Sequence, residues 1–165
     1  MDLTYLTKTA GPWLHVCPGP VNDIADALCR WELAAPGKRI ARIVRGRKCA
    51  TVADFYDEFA AALQFPVSFG ENWDAFADCL RDNSRFPDKA AIAICITDAD
   101  KLLAAAPANA TGMLNRVLTM CVEGLNAPAK PGKPRSLHVL LQCAGTKTAA
   151  WTTRWPGAGL MLVEK

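Results

Sequence analysis

The residues best suited to chemistry in this chain are acids. Glu71, Asp74, Asp78 and Asp82 recur at spacings of three and four, so on a helix they share an arc of roughly 80°. Such a stripe has a cost, because like charges four apart, here Asp74/Asp78 and Asp78/Asp82, destabilise a helix by roughly 0.2–0.5 kcal/mol per pair. Near a helix N-terminus the macrodipole offsets this by roughly 0.3–1 kcal/mol per anion. Two readings stay open: a solvated, well-capped surface helix, and a docking surface for a cationic partner.

Other candidates are weaker. Asp98 and Asp100 follow an apolar run directly, where ligands often bind in open α/β sheets, and two aspartates there could hold a metal or act as acid and base. A cap on a short helix through Leu102, Leu103 and Ala106 is the expected role of Asp98. His15 and His138 each sit inside an apolar run and are expected to be structural. Seven cysteines form no C-x-x-C pair, and their odd number cannot close internally, which points to buried free thiols. No P-loop, G-x-G-x-x-G or H-x-x-x-H motif is present. No metal or cofactor is expected.

Stepping outward from the acids, the same stretch carries its own positioning. Pro66 and Gly70 punctuate a loop, Asn72 is a good N-cap, and Trp73, Phe76, Ala77 and Leu80 recur at i, i+3, i+4 and i+7. A helix over 72–82 is predicted, with its apolar face turned from the acids. Upstream, Trp13 to Cys17 reads as a strand, and Ile24, Ala27, Leu28 and Trp31 as a helix that ends by Pro36-Gly37. Residues 39–45 form a second strand. Thr51 and Asp54 then make a capping-box start to a helix carrying Phe55, Phe59, Ala62 and Leu63, which stops before Pro66. Downstream, Ala90 to Ile96 is apolar throughout, as is a strand covered on both faces. A long helix near 112–125, a Pro/Lys loop over 127–135, a strand over 137–143, a polar turn region around 145–155 and a last apolar run over 160–163 complete the chain. Strands alternating with helices predict an α/β fold with a mainly parallel sheet.

Composition bounds the rest. A chain of 165 residues, 51% hydrophobic and 21% charged, suits one globular domain. No apolar run is long enough for a membrane helix, and the first residues lack a signal-peptide layout, so a cytoplasmic protein is expected. The net charge of +3 is unevenly spread: no Lys or Arg lies between Lys48 and Arg81, a window holding Asp54, Asp57, Glu58, Glu71, Asp74 and Asp78. Basic residues gather at Lys38, Arg39, Arg42, Arg45, Arg47 and Lys48, and again at Lys130, Lys133 and Arg135. Without interleaved aromatics the first group reads as a solvated strand edge rather than a nucleic-acid patch.

The stretch Phe65-Pro-Val-Ser-Phe-Gly-Glu-Asn-Trp-Asp-Ala-Phe-Ala-Asp-Cys-Leu80 closely resembles the signature of the barstar family, the intracellular inhibitors of barnase-type ribonucleases. The likeness follows the family's order of elements over residues 39–143. It implies a barstar-like sheet of three core strands packed by helices, within a single domain. Residues 1–38 would add a strand-helix unit, and 144–165 a further extension with a possible edge strand. It also implies a non-enzyme that plugs the active site of a basic nuclease in a 1:1 complex, its carboxylates standing in for RNA phosphates. Asp78 falls on the family's central phosphate-mimicking aspartate and Asp74 on its neighbour. Gly70, Asn72 and Trp73 fall on the loop and helix start that enter the partner's cleft, and Asp82 ends the stripe. Ser68 stands where the family carries an aromatic residue, so a stacking contact is either missing or supplied by Phe69. The family's third-helix glutamate falls near Thr119 or Met120, with Glu123 the nearest acid. Two alternatives are an adaptor of this fold for a non-nuclease partner and, from another class, a metal- or nucleotide-dependent enzyme using Asp98 and Asp100.

Overall fold

A computed structural model describes residues 2–82, 86–87, 90–126, 136–144 and 153–160. In chain order the elements are β1 (Leu14–Pro18), α1 (Val21–Leu33), β2 (Arg39–Arg45), α2 (Val52–Leu63), α3 (Trp73–Arg81), β3 (Ala91–Thr97), α4 (Ala110–Asn126), β4 (Ser136–Cys143) and β5 (Gly159–Leu160). Short 3-10 turns occupy Thr4–Thr7 and Gly46–Lys48. The loop predicted over 127–135, most of the turn region over 145–155, and residues 161–163 lie outside the described residues.

The strands form one sheet in the order β2-β3-β4-β1-β5, and every pairing is parallel. From β2 to β3 to β4 the chain steps in one direction, while β1 to β2 jumps back across two strands. Crossovers of one hand must then lie on opposite faces. So they do. Helices α2, α3 and α4 join a core with Ile40, Val44, Ile92, Ile94, Ile96, Val139 and Leu141. The 3-10 turn at Thr4–Thr7 and α1 pack through Leu6, Ile24, Leu28 and Trp31 against Ala91, Ala93, Cys95 and Leu140.

The alternation inside β3 explains this division. Its Ile residues point to the face that carries three helices, and its small residues Ala91, Ala93 and Cys95 to the face where the Trp31 ring packs. Every residue of β3 and β4 is buried, whereas β2 alternates because it is an edge. The edge reading of the basic cluster holds: Arg42 lies 3.8 Å from Glu32, Arg45 2.7 Å from Glu58 and Arg47 3.5 Å from Asp98.

Polar side chains join the elements. Buried Asn126 donates from Nδ2 to the carbonyls of Val122 and Leu137 and accepts from the Leu137 amide, tying α4 to the start of β4. At the carboxyl ends of the strands, Gln142 accepts from the Asp98 amide at 2.8 Å and donates to the Gly19 carbonyl at 2.6 Å.

The segment after β3 departs from expectation. Residues 98–105 form successive turns and no helix. Asp98 and Leu103 have positive φ (47° and 56°), and the amides of Leu103 and Ala105 donate to the carbonyls of Cys49 and Ala50 rather than along a helix. Among the described residues the Asp98 side chain caps no helix; it pairs with Arg47 at 3.5 Å and Lys101 at 3.3 Å. Among the described residues no helix is long and apolar enough to cross a membrane.

Candidate partner-binding site

The loop before α3 is built by short-range bonds. The Phe69 amide donates to the Pro66 carbonyl at 2.9 Å, and Glu71 takes a positive φ of 45°. Asn72 closes the turn on both sides: its Oδ1 accepts from the Ala75 amide at 2.9 Å and its Nδ2 donates to the Gly70 carbonyl at 3.0 Å. A Cβ at Gly70 would stand 3.2 Å from that Nδ2, so the turn leaves little room for a side chain there. Asn72 therefore sets the direction of the helix rather than offering a free amide.

From this cap α3 presents two faces. Phe76, Ala77 and Leu80 are buried, while Asp74, Asp78 and Asp82 are exposed. Trp73 is half-buried, with ring centroids 5.4 Å from both Phe55 and Tyr56. Phe69 is half-buried and meets Tyr56 and Phe65 edge-on, at 5.7 and 5.0 Å. These aromatic contacts, each worth roughly 0.5–1.5 kcal/mol beyond the area buried, lock both loop and helix to α2. The α2 helix is itself started by a reciprocal capping box between Thr51 and Asp54.

The acids form one electrostatic surface. Asp78, 81% exposed, lies 3.8 Å from Arg81, one turn on. Asp74 acts on Tyr56, whose hydroxyl is pushed up to about 12, first by burial and then by that carboxylate. Within the window free of basic residues, Glu58 is bound to Arg45 by bonds of 2.7 and 2.8 Å and Asp54 is held in its cap, while Asp57 and Glu71 are exposed. Charges held on a fixed backbone with high exposure can steer and then pair with guanidinium or ammonium groups at little reorganisation cost.

The remaining site residues divide. Ser68 and Gly70 are exposed on the loop. Glu123 is exposed on α4, which packs on α3 where the Cys121 thiol meets the Ala77 carbonyl. Thr119 is half-buried and Met120 is 47% exposed, so an apolar side chain stands one turn before Glu123. Sequence reasoning missed Val67, a fully exposed valine at the loop apex. A signal was available, because it is an apolar residue between Pro66 and Ser68 that belongs to no helical or strand period. The other predicted candidates separate from this surface. Asp98 is neutralised by Arg47 and Lys101, and the two histidines are buried, with His15 Nε2 2.9 Å from His138 Nδ1.

Fold and site together define an α/β protein with a doubly wound parallel sheet and a rigid acidic helix on its surface. A family model described as Barstar (barnase inhibitor) matches residues 40–140, well over half of the chain, and the protein belongs to that family. No curated protein matches. Among solved structures, a chain of the Drosophila ORC bound to AT-rich DNA and Cdc6 is similar in fold at a TM-score of 0.50 and 12% identity. That match covers 96% of this chain but 49% of the other, so this chain spans about half the length of its structural neighbour.

Proposed function

We propose that the protein is an inhibitor of the immunity or antitoxin kind that blocks the active site of a basic ribonuclease or related nuclease toxin. The observation that carries the reading is the pairing on α3 of exposed Asp74 and Asp78 with a buried Phe76, Ala77 and Leu80 face that fixes their direction. Asp78 takes the central contact with a nuclease arginine or lysine and Asp74 the neighbouring one. Ser68, Phe69, Gly70, Asn72 and Trp73 form the loop and helix start that enter the cleft, and Asp82 and Glu123 lie at the rim. The complex is 1:1, formed in the cytoplasm where such a nuclease is made. The inhibitor performs no reaction itself and uses no cofactor. Residues 1–38 and 144–165 are additions to a single domain, a reading supported by β1, which continues the core sheet beside β4.

A carboxylate buried against a guanidinium makes a strong, directional contact. Removing one partner of a buried pair costs roughly 3–5 kcal/mol, or about a hundredfold or more in Kd. The test is a pull-down from the native host with wild-type protein and Asp78→Ala as baits, followed by ribonuclease assay of the captured partner. Wild type captures a nuclease and silences it, and Asp78→Ala loses it. Equal capture by the variant would refute the role of α3. A second reading, an adaptor for a non-nuclease protein, is favoured by Ser68 in place of an aromatic and by the exposed Val67 and Met120. It predicts capture of a partner without nuclease activity.

A further inference from the structure

A cavity of about 690 Å³ opens at the amino ends of β2, β3 and β4, lined by their first residues Arg39, Ala91 and Ser136 together with the segment after the first 3-10 turn. Three cations, Lys8, Lys38 and Arg39, line it along with the hydroxyl-bearing Thr7 and Thr9, and among the described residues no acid lines it. Asp2 acts on Lys8 only weakly: its carboxyl is held below its ordinary value chiefly by the Thr4 amide and only last by Lys8. Elsewhere on β2 the arginines Arg42 and Arg45 find carboxylates. Here, among the described residues, none of the three cations is in an ion pair. Lys8 Nζ lies 5.7 Å over the Tyr5 ring, and Arg39 is placed by the Trp31 carbonyl at 3.2 Å and by the Trp31 ring, both of which leave guanidinium and ammonium donors for a ligand.

Holding like charges around one concavity is unfavourable unless an anion joins them. The lysine ammonium groups are point donors and the guanidinium a planar fork, the combination that suits phosphoryl oxygens. We propose that this cavity binds a small phosphorylated anion carrying two or three negative charges. The volume lies within the range of small-molecule sites, roughly 300–1,000 Å³. A nucleic-acid strand is disfavoured because, among the described residues, no aromatic lines the cavity to stack a base. Most of the lining comes from residues before 40, outside the stretch matched by the family model, so the site belongs to the added N-terminal unit. It lies toward the face that carries α1, whereas α3 packs on the other. Its occupancy is therefore independent of the acidic surface.

Pyrophosphate titrated into the full-length protein at low salt, followed by calorimetry and by thermal unfolding, tests this. Saturable 1:1 binding is expected, with a rise in unfolding temperature. Charge-assisted bonds of this type contribute enough that Lys8→Gln/Lys38→Gln weakens binding by roughly tenfold or more. The single variant Lys38→Gln should weaken it too, while Lys48→Gln, which removes a lysine outside the cavity, should not. Circular dichroism and a urea midpoint verify that each variant is folded, and Lys38→Glu serves as the second probe if the double variant is not. Absence of saturable binding, or equal weakening by Lys38→Gln and Lys48→Gln, overturns the proposal. Tighter binding of a short oligonucleotide, insensitive to pyrophosphate, overturns it as well.

Discussion

Replacing His15 by glutamine should flatten the dependence of stability on pH below neutrality. His138 Nε2 donates to the Lys8 carbonyl at 2.8 Å, so its Nδ1 is the acceptor for the His15 Nε2–H at 2.9 Å. Tyr5 covers both rings edge-on, at 5.4 and 5.3 Å. Burial disfavours the charged imidazole and the neighbouring His138 adds to that, taking His15 from 6.5 down to about 4. The unfolded chain then binds more protons than the native one between those values, so stability is full above about 6.5 and falls as the pH drops toward about 4. At about 1.4 kcal/mol per tenfold in proton binding, that interval amounts to about 3 kcal/mol, a large share of a domain's total of roughly 5–15 kcal/mol. A glutamine amide can still donate to His138 Nδ1 but cannot titrate. Urea unfolding of both proteins at pH values from about 7.5 to about 4.5 reads the difference directly. Wild type should lose about 2 kcal/mol or more relative to His15→Gln across that range. His138, also lowered by burial, is present in both proteins, so the difference between them reads chiefly His15. A stability difference that stays constant with pH would refute the account of the pair.

Three further outcomes follow from local geometry. Thr51→Ala removes the hydroxyl that accepts from the Asp54 amide at 3.1 Å and should cost about 1 kcal/mol in urea unfolding. Gly46→Ala places a Cβ 2.5 Å from the Thr97 carbonyl and 2.8 Å from that of Asp98, both backbone atoms that cannot rotate away. The ends of β2 and β3 must separate, at a cost of roughly 1–3 kcal/mol by the same measurement. In the native protein a maleimide should label Cys29 first, because Cys17, Cys49, Cys95, Cys121 and Cys143 are buried and Cys79 is half-buried. Burial also pushes the Cys49 and Cys95 thiols up to about 12, away from the reactive thiolate. Mass spectrometry after a short exposure decides it, and two equally fast sites would count against the packing described.

Much of the fold was legible because period and punctuation agreed. The 39–45 strand is β2 as bounded, the Thr51–Asp54 capping box forms reciprocally, and the Asn72 cap starts α3 one residue later. The run Leu160–Val163 reads as an edge strand, and Gly159–Leu160 does pair beside β1. What failed was the helix expected after Asp98. Its apolar spacing through Leu102 and Leu103 is real, but both side chains enter the core from turns whose amides are claimed by Cys49 and Ala50, a tertiary choice that no local pattern carries. Each histidine taken alone reads as structural. Their pairing across 123 residues depends on the β1/β4 register, which aligns His15 with Leu140 and so sets it near His138, and the sequence holds no trace of that. In the candidate site, the acids and their buried counter-face were legible from helical period alone. Val67 was legible only as an apolar residue outside any helical or strand period; its full exposure was not, since that is decided by how the turn is tied.

Arg81 offers the sharpest test of the acidic surface, because its effect has the opposite sign to that of Asp78. Its guanidinium lies 3.8 Å from Asp78, with the two side chains 42% and 81% exposed. An ion pair so open to solvent contributes about 0–1 kcal/mol to stability, and Arg81 also bonds the Cys121 thiol, so Arg81→Gln should lower the urea midpoint only slightly. Its electrostatic consequence is larger. Glu71, Asp74, Asp78, Asp82 and Arg81 carry a formal sum of −3, which becomes −4 in the variant. Asp78 also loses the cation that competes with a partner's guanidinium for its oxygens. If the partner is the basic nuclease proposed above, association with it should therefore speed up several-fold at low salt, an advantage that shrinks as the screening length falls toward about 8 Å near physiological ionic strength. Stopped-flow rates over a salt series measure it. A slower association for Arg81→Gln would mean that the arginine itself touches the partner, and no change at any salt would mean that α3 does not face it.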